Sequence, residues 1–255
     1  TQTAINFIPG NNTGNTNNSI TGNYIGGNAS ALPGNAISGT WTNSGNNTFI
    51  GIQLASTAVS VSGNVISGIS KTSTGTSNLF RGILGNSGAS GSMNISNNQI
   101  NNISTASNAA SSGFFIGIYQ QSTTAVQVIS ENTIHSISST HTTSAVSLTG
   151  IQYTGAASGT NSINRNFIHS FSSVSSSNAA ADNFLLGIYI GAGPVNVTNN
   201  MIRLGINAAG TDEGSDRVIR GIWHGATTAS VVFNYYYNSV YLGGTAIANN
   251  VNLTY

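Results

Sequence analysis

Six asparagines recur at intervals of 34 residues, and this fixed period constrains the fold more than any other feature of the chain. They are Asn64, Asn98, Asn132, Asn166, Asn200 and Asn234. A constant period of this size indicates one supersecondary unit stacked on copies of itself, because a single unit cannot bury its own apolar side. The chain therefore predicts a repeat architecture with one continuous core.

Apolar residues stand at constant distances from each asparagine, if Asn23 is counted as an earlier, less regular copy. Three residues before it lies a β-branched column: Ile20, Val61, Ile95, Ile129, Ile163, Val197 and Val231. Two residues after it stand Ile25, Ile66, Ile100, Ile134, Ile168, Ile202 and Tyr236. β-branched enrichment and alternation with a period of two favour strands over helices.

A glycine–isoleucine pair precedes each asparagine and marks a further strand. The pairs begin at Gly51, Gly82, Gly117, Gly150, Gly187 and Gly221. Each unit thus supplies three short strands, one around Gly-Ile and one on either side of the asparagine, followed by a loop of variable length. We expect the asparagines to lie at a sharp bend, where Asn tolerates left-handed backbone angles and stacked amides can bond to one another.

Segments 59–66 (VSVSGNVI) and 195–202 (VNVTNNMI) resemble the repeats of right-handed parallel β-helices of the pectin-lyase-like family. The resemblance covers roughly residues 18–241. It implies an all-β, right-handed parallel β-helix of about seven turns with three strands each, a rod on the order of 34 Å long. The Asn-, Ser-, Thr- and Gly-rich composition is also similar to repetitive secreted surface proteins of Bacteroidetes. Neither resemblance implies a particular activity.

The repeat predicts a single β-helix domain over residues 1–255, which we expect to be a segment of a longer protein. Residues 1–50 form an irregular first turn with an inserted loop between Ile25 and Phe49, and residues 51–241 form the regular repeats. A chain of 255 residues is long enough for one large domain or two small ones, and the repeat favours one elongated body with a continuous core.

Charge is scarce, at 4% of residues, and the net charge is +1. Six scattered basic residues do not form the basic stripe that nucleic-acid binding requires, so we expect no nucleic-acid partner. No apolar stretch is long enough to span a membrane. The absence of cysteine excludes a disulfide frame and fits an exported protein. We therefore expect a secreted, extracellular or cell-surface location.

Ionisable residues that share a column are expected to meet across turns. Glu131 and Arg165 both precede a ladder asparagine, and we expect an exposed ion pair of little energetic weight. His135 and His169 share another column, but no third ligand joins them and Arg203 would repel a cation. We expect neither a metal nor a cofactor.

Carboxylates are too few to predict an enzyme. The fold resemblance implies that polysaccharide-cleaving relatives use grouped carboxylates, whereas this chain contains only Glu131, Asp182, Asp212, Glu213 and Asp216. The cluster in segment 212–216 lacks the spacing of a calcium loop and is interpreted as a solvated loop. Ice binding would need a Thr-x-Thr column in most turns, and the chain offers only local matches such as 123–124 and 227–228.

An aromatic column lies two residues after the repeating glycines: Gln53, Leu84, Tyr119, Gln152, Tyr189 and Trp223. If its side chains point outward, Tyr119, Tyr189 and Trp223 form a candidate surface for sugar rings or a partner. If the glycine forms a bulge that turns the column inward, the same residues fill the core. Both interpretations remain open at this point.

The sequence indicates a regular scaffold without a reaction site. We expect a structural or interaction segment of a surface protein, serving as an adhesin body, stalk or filament element. Open strand edges at either end of a solenoid favour end-to-end self-association or contact with other surface proteins. The alternative is a carbohydrate-binding or vestigial polysaccharide-cleaving module that binds glycans through the aromatic column.

Overall fold

The chain folds into an all-β parallel solenoid, which confirms the predicted fold class. The structure, a computed structural model, describes residues 1–8, 18–27, 39–55, 58–86, 92–107, 114–123, 126–143, 146–174, 184–213, 218–226 and 231–244. These residues contain 23 strands and no helix. The right-handed sense expected from the sequence stays a prediction.

The strands, numbered along the chain, form three parallel sheets. Sheet 1 contains β1 (Gln2–Phe7), β5 (Thr48–Leu54), β8 (Leu79–Gly85), β11 (Phe114–Gln120), β14 (Ser147–Thr154), β18 (Phe184–Ala192) and β21 (Val218–His224). Sheet 2 contains β2 (Asn18–Thr21), β6 (Val59–Ser62), β9 (Ser92–Ser96), β12 (Val126–Ser130), β15 (Ser162–Asn164), β19 (Val195–Thr198) and β22 (Phe233–Tyr236).

Sheet 3 completes each turn. It contains β3 (Tyr24–Gly26), β7 (Val65–Lys71), β10 (Gln99–Thr105), β13 (Thr133–Ser139), β16 (Phe167–His169), β20 (Met201–Leu204) and β23 (Ser239–Leu242). The short strands β4 (Trp41–Asn43) and β17 (Ser172–Ser173) pair with β7 and β13. Each turn therefore crosses three sheets, as the three strands per repeat predict.

The predicted apolar columns are in register and form the core. In sheet 3, Ile66, Ile100 and Ile134 face one another and are fully buried. The column of sheet 2 does the same through Val61 and Ile95. Burying each such side chain contributes about 1.5–3 kcal/mol, so the repeated columns hold the turns together.

The glycine of each Gly-Ile pair lies where a side chain would collide with the next turn. A Cβ atom on Gly117 would be 2.7 Å from the carbonyl oxygen of Gly150 and 2.8 Å from Cγ2 of Ile134. Side-chain alternation also shifts here, because Phe115 and Ile118, three positions apart, both point into the core. The shift directs the residue two after the glycine to the outer face.

The 34-residue spacing holds over about five turns, not the seven expected. Ladder partners are 34 residues apart from Asn64 to Asn200. The spacing is 41 from Asn23 to Asn64 and 38 from Asn200 to Asn238. Surface connections lengthen at small entropic cost, so the end turns differ in length while their strands stay in register.

The asparagines form the predicted amide ladder. The backbone N–H and Nδ2 of Asn98 donate to Oδ1 of Asn132 at 3.0 and 2.9 Å. Nδ2 of Asn98 also donates to the carbonyl oxygen of Val61, one turn back, at 3.0 Å. The members from Asn64 to Asn200 are at most 1% exposed. Each amide therefore finds its partners in adjacent turns, as buried polar groups require.

The left-handed residue at the bend is the one before each ladder asparagine, which corrects the expectation that the asparagine itself adopts these angles. The φ angle is 55° at Asn97, 59° at Glu131 and 55° at Arg165. Glycine takes the same position in an earlier turn, where Gly63 has a φ of 65°. A left-handed angle costs a residue with a side chain about 1–2 kcal/mol, so the buried amide bonds of the ladder offset local strain.

The prediction that Asn234 ends the ladder is wrong. Asn238 takes that position, because the N–H and Nδ2 of Asn200 donate to its Oδ1 at 3.0 and 2.9 Å. Asn234 lies instead on β22, opposite Asn196, to which its Nδ2 donates at 2.8 Å. The longer last turn moves the register by four residues, so Tyr235 replaces Val231 in the apolar column.

The first turn is more regular than the sequence suggests. Strand β1 places Ile5 beside Ile52, so the preceding Ala4 stands where later turns have glycine. Part of the loop expected between Ile25 and Phe49 is strand β4, and the rest of that stretch lies partly outside the described residues. Trp41 of β4 packs against Phe49 with ring centroids 5.1 Å apart.

Replacing Asn132 by alanine should lower the free energy of unfolding by about 3 kcal/mol or more, because buried donors of Asn98 and the carbonyl oxygen of Ile95 lose their partner. Urea unfolding measures the change. Asn94→Ala is the matched control, since Asn94 is exposed on the adjacent strand β9, and should change stability by no more than about 0.5 kcal/mol. Equal losses in the two variants would contradict the central role of the ladder.

Candidate functional site

The aromatic column lies on the outer face of sheet 1. Tyr119, Tyr189 and Trp223 are each half-buried, while Ile118 and Ile188 beside them in sequence point into the core. The pairing places Tyr189 directly beside Trp223, with ring centroids 4.8 Å apart and planes tilted by 48°. The structure therefore brings together two of the three predicted residues.

Tyr119 stands apart from this pair. Gln152 occupies the intervening turn, since Tyr119 pairs with Gln152 and Gln152 pairs with Tyr189. The guanidinium carbon of Arg81 lies 5.0 Å from the centroid of the Tyr119 ring. The column is therefore interrupted rather than a continuous aromatic platform.

A second guanidinium covers the other end of the column. The guanidinium carbon of Arg220 lies 4.1 Å from the Trp223 ring centroid and 4.7 Å from that of Phe184. Burial lowers the pKa of Arg220, and its buried Nε and Nη1 atoms have no hydrogen-bond partner among the described residues. Cation–π attraction offsets part of that desolvation. Sequence reasoning missed this contact, although Arg81 and Arg220 recur one residue before the repeating glycine.

Tyr189 and Trp223 pack against a small apolar cluster separate from the main core. It consists of Phe184, Leu186 and Val218, all on the outer side of sheet 1. A Cβ atom on Gly225 would lie 2.7 Å from Cε2 of Tyr189, so this ring lies close to the backbone of the next turn. The aromatic pair thus contributes to packing between the last turns and presents only part of its surface.

The two histidines stack on the outer face of sheet 3, as their shared column predicts. Their ring centroids are 4.8 Å apart and their planes differ by 1°. Nδ1 of His169 lies 2.8 Å from Oγ of Ser170, which accepts a hydrogen bond from Nη2 of Arg203 at 3.1 Å. The hydroxyl group of Ser170 can then donate its own proton to Nδ1 of His169. This hydrogen bond requires a neutral imidazole that carries its proton on Nε2.

Burial and neighbouring positive charge disfavour protonation of this stack. Burial, then His135 and Arg203, lower the pKa of His169 to about 4, and burial also lowers the pKa of His135. A divalent cation would face the same repulsion from Arg203. Among the described residues, no group of three or more His, Cys, Asp or Glu side chains is placed to hold a metal ion.

The predicted ion pair is present and exposed. Nη2 of Arg165 lies 2.7 Å from Oε1 of Glu131, and the two side chains are 60% and 51% exposed. Solvent screening limits the contribution of such a pair to about 0–1 kcal/mol.

The acidic segment 212–216 is only partly described, because residues 214–217 lie outside the described ranges. Within it, Glu213 is buried, and its Oε2 accepts the backbone N–H of Ser173 at 3.0 Å. The carboxylate thus binds the open edge of β17, where a further strand would otherwise pair. For the ice-binding alternative, Thr124 and segment 227–228 also lie outside the described residues.

A buried lysine was not anticipated. The side chain of Lys71 is fully buried, and its Nζ donates to the carbonyl oxygen and to Oδ1 of Asn47 at 2.7 and 3.1 Å. Burial lowers its pKa to about 8. The sequence signal was its position in a polar inward column with Thr105 and Ser139.

A polar groove of about 410 Å³ runs along sheet 3, beside the histidine stack. Its hydroxyl groups repeat once per turn because equivalent serines of successive turns stack, and Oγ of Ser104 donates to Oγ of Ser70 at 3.0 Å. The lining residues are Asn102, Ile103, Ser104, Ser136, Ser138, Ser170, Ser172, Asn207, Ala208 and Ala209.

Both ends of the solenoid expose apolar surface. At the C-terminal end, the tyrosine end is formed by Tyr235, Tyr236, Tyr237, Val240 and Tyr241, which are 37–86% exposed. At the opposite end, the N-terminal cavity has a volume of about 330 Å³ and is lined by Gln2, Thr3, Ala4, Ile25, Gly26, Gly27, Trp41 and Phe49. The run of three tyrosines at 235–237 was the signal in the sequence.

Comparison with known proteins gives no match among family models, curated proteins or solved structures. Within the described part of the chain, no helix is long and apolar enough to cross a membrane.

The histidine stack predicts a fall in stability as pH drops from about 6.5 to about 4. The unfolded chain binds a proton at His169 below its ordinary pKa of 6.5, whereas the folded chain resists protonation down to about 4. The full shift corresponds to about 3 kcal/mol, which solvent screening at this half-exposed ring reduces to about 1–2 kcal/mol. Stability above pH 6.5 should not depend on this ring.

Urea unfolding at pH 7.5 and at pH 4.5 measures this effect. His169→Asn should remove most of the fall, since an asparagine, Asn101, already occupies the same column two turns away. His141→Asn, at a half-buried position outside the stack, is the matched control, and the fall should persist in that variant. An unaltered pH dependence in His169→Asn would rule out the stack as its source.

Proposed function

We propose that this chain is a structural and interaction segment of a secreted or cell-surface protein, forming an adhesin body, stalk or filament element. The observation that carries the proposal is the uninterrupted amide ladder with its aligned apolar columns. The residues that recur in each turn, the ladder asparagines and the buried aliphatic side chains, contact their equivalents in the next turn. A rod of defined length is what such a repeat provides.

The interactions that hold the rod suit an environment of variable ionic strength. Neutral amides and aliphatic side chains are insensitive to salt, whereas charge pairs weaken with screening. The salt bridge found between described residues, Glu131–Arg165, is exposed and contributes little. The absence of cysteine and the low charge also support an extracellular location.

We further propose that the solenoid is right-handed and of the pectin-lyase-like type, in keeping with repetitive surface proteins of Bacteroidetes. Right-handed crossover connections between parallel strands are strongly preferred because of strand twist. A fold of this type does not by itself assign a catalytic role.

The proposal includes the absence of catalysis. Glycosidic cleavage uses two carboxylates on either side of the scissile bond. Two of the three described carboxylates are Glu131, which pairs with Arg165, and Glu213, which accepts a backbone N–H at the edge of β17. Both are engaged in contacts that stabilise the solenoid.

The free energy of unfolding should therefore change by less than about 1 kcal/mol between low salt and 1 M NaCl, because exposed ion pairs contribute little. Urea unfolding at the two salt concentrations checks this. The same protein should release no product from a panel of neutral and acidic polysaccharides, measured by reducing ends and by absorbance of unsaturated sugars. Turnover of any polysaccharide would overturn the scaffold function.

A second candidate function is carbohydrate binding at the Tyr189–Trp223 pair. The observation that favours it is the contact of two half-exposed rings, 4.8 Å apart, on one outer face. Aromatic faces bury the apolar side of a sugar ring, and their polar atoms remain available for hydrogen bonds.

If the chain binds glycans at this pair, the double variant Tyr189→Ala with Trp223→Ala should abolish retention on a glycan array. Tyr119→Ala is the matched control and should retain binding, because this tyrosine lies two turns away with Arg81 over its ring. Absence of glycan retention by the wild-type chain would dispose of this function.

A further inference from the structure

The asparagine ladder has a donor end and an acceptor end. In each step, the N–H and Nδ2 of one asparagine donate to Oδ1 of the next asparagine toward the C-terminus. The first step runs from Asn23 to Asn64, and the last runs from Asn200 to Asn238. Within the described chain, no group donates to Oδ1 of Asn23 and none accepts from the N–H of Asn238. The two ends are therefore complementary.

The backbone beside the ladder has the same polarity. The N–H of Ser239 donates to the carbonyl oxygen of Asn200 at 2.8 Å, and the N–H of Val65 donates to that of Asn23 at 2.8 Å. Each residue after a ladder asparagine thus bonds to the asparagine one turn back. One further step of the repeat would join the N–H of Tyr24 to the carbonyl oxygen of Asn238.

Side chains at the two ends also match. Tyr235 and Val240 occupy inner columns of the last turn and are 37% and 42% exposed, whereas Val197 and Ile202 before them are 0% and 1% exposed. At the other end, the N-terminal cavity is open to occupation by apolar side chains. Protruding side chains at one end thus correspond to a concave apolar surface at the other.

The edge strands have similar lengths. Strands β21, β22 and β23 contain 7, 4 and 4 residues, and β1, β2 and β3 contain 6, 4 and 3. All three sheets can therefore continue across a junction in parallel pairing, which covers the open edges at both ends.

We propose that a second copy of this chain stacks head to tail, with its first turn on the last turn of the first copy. At the junction, the N–H of Asn238 donates to Oδ1 of Asn23 in the next copy, and the N–H of Tyr24 in that copy donates to the carbonyl oxygen of Asn238. The inference rests on the proposed scaffold function and names its partner. Because the contact is heterologous, it repeats and produces filaments.

The ladder excludes the two symmetrical alternatives. Two N-terminal ends would place acceptor Oδ1 atoms opposite each other, and two C-terminal ends would oppose donors. Either arrangement would also make the facing strands antiparallel and break the parallel ladder. Polarity therefore specifies one orientation.

Two end variants test this orientation by sedimentation velocity. Tyr24→Pro removes the outward N–H at the first turn, and Val240→Asp places a charge in the apolar column of the last turn. The wild-type mass should rise with concentration, while each variant alone should remain a monomer. Mixed together, they should form a one-to-one dimer of about twice the monomer mass, because each retains one functional end.

Controls separate folding from association. Met201→Asp introduces the same charge at an exposed apolar position one turn earlier and should assemble as the wild type does. Circular dichroism and thermal unfolding must show folded variants, and Ala4→Asp, which lines the N-terminal cavity, serves if Tyr24→Pro does not fold.

A dimer formed by either end variant alone would overturn the head-to-tail orientation. A wild-type chain that stays monomeric at every concentration would overturn the self-association. If that monomer is also inert toward polysaccharides, the scaffold function stands without this partner. Polysaccharide turnover would instead overturn the scaffold function. The sedimentation result would still decide whether the chain associates head to tail.

Discussion

The buried asparagine amides at one corner of the coil are the interaction on which the rest of the structure depends. Asn98 donates twice to Asn132 and once to the turn behind it, and the pattern recurs along the axis. Sliding one turn against the next would leave several buried donors without acceptors at once, which costs far more than the loss of one exposed bond. The ladder therefore maintains the register of all three sheets. It also explains how Glu131 and Arg165 persist in left-handed conformations just before it.

The same register limits what the outer surface can do. Stacking brings equivalent residues together, so like groups meet more often than the unlike groups that catalysis needs. His135 lies over His169 with Arg203 beyond it, an arrangement that disfavours a proton as well as a metal ion. On the other outer face, Arg220 packs over Trp223 and uses a ring face that a sugar would otherwise occupy. This regular stacking is what supports the proposed scaffold function.

A solenoid held together in this way has no natural last turn. Each asparagine amide in the ladder bonds to partners in both adjacent turns, whereas among the described residues the strands of the first and last turns are paired along one edge. Among the described residues, Oδ1 of Asn23 has no donor and the N–H of Asn238 has no acceptor, while Tyr235 and Val240 expose surface that earlier turns bury. Charged side chains on edge strands can prevent pairing with another chain, but this chain has few of them. These groups are the ones that the proposed head-to-tail contact would use.

The sequence by itself determined the parallel coil, its three strands per turn, the apolar columns and the Glu131–Arg165 contact, because a fixed period specifies which residues stack. It did not determine the last rung, where four extra residues move the ladder to Asn238, or the number of regular turns. Only the tertiary structure decided that Arg220 covers Trp223 and that Lys71 lies in the interior. The physical reason is that a sequence period specifies which backbone segments pair between turns. Which side chain covers another, and which is buried, depends on side-chain directions, bulges and loop lengths that vary from turn to turn.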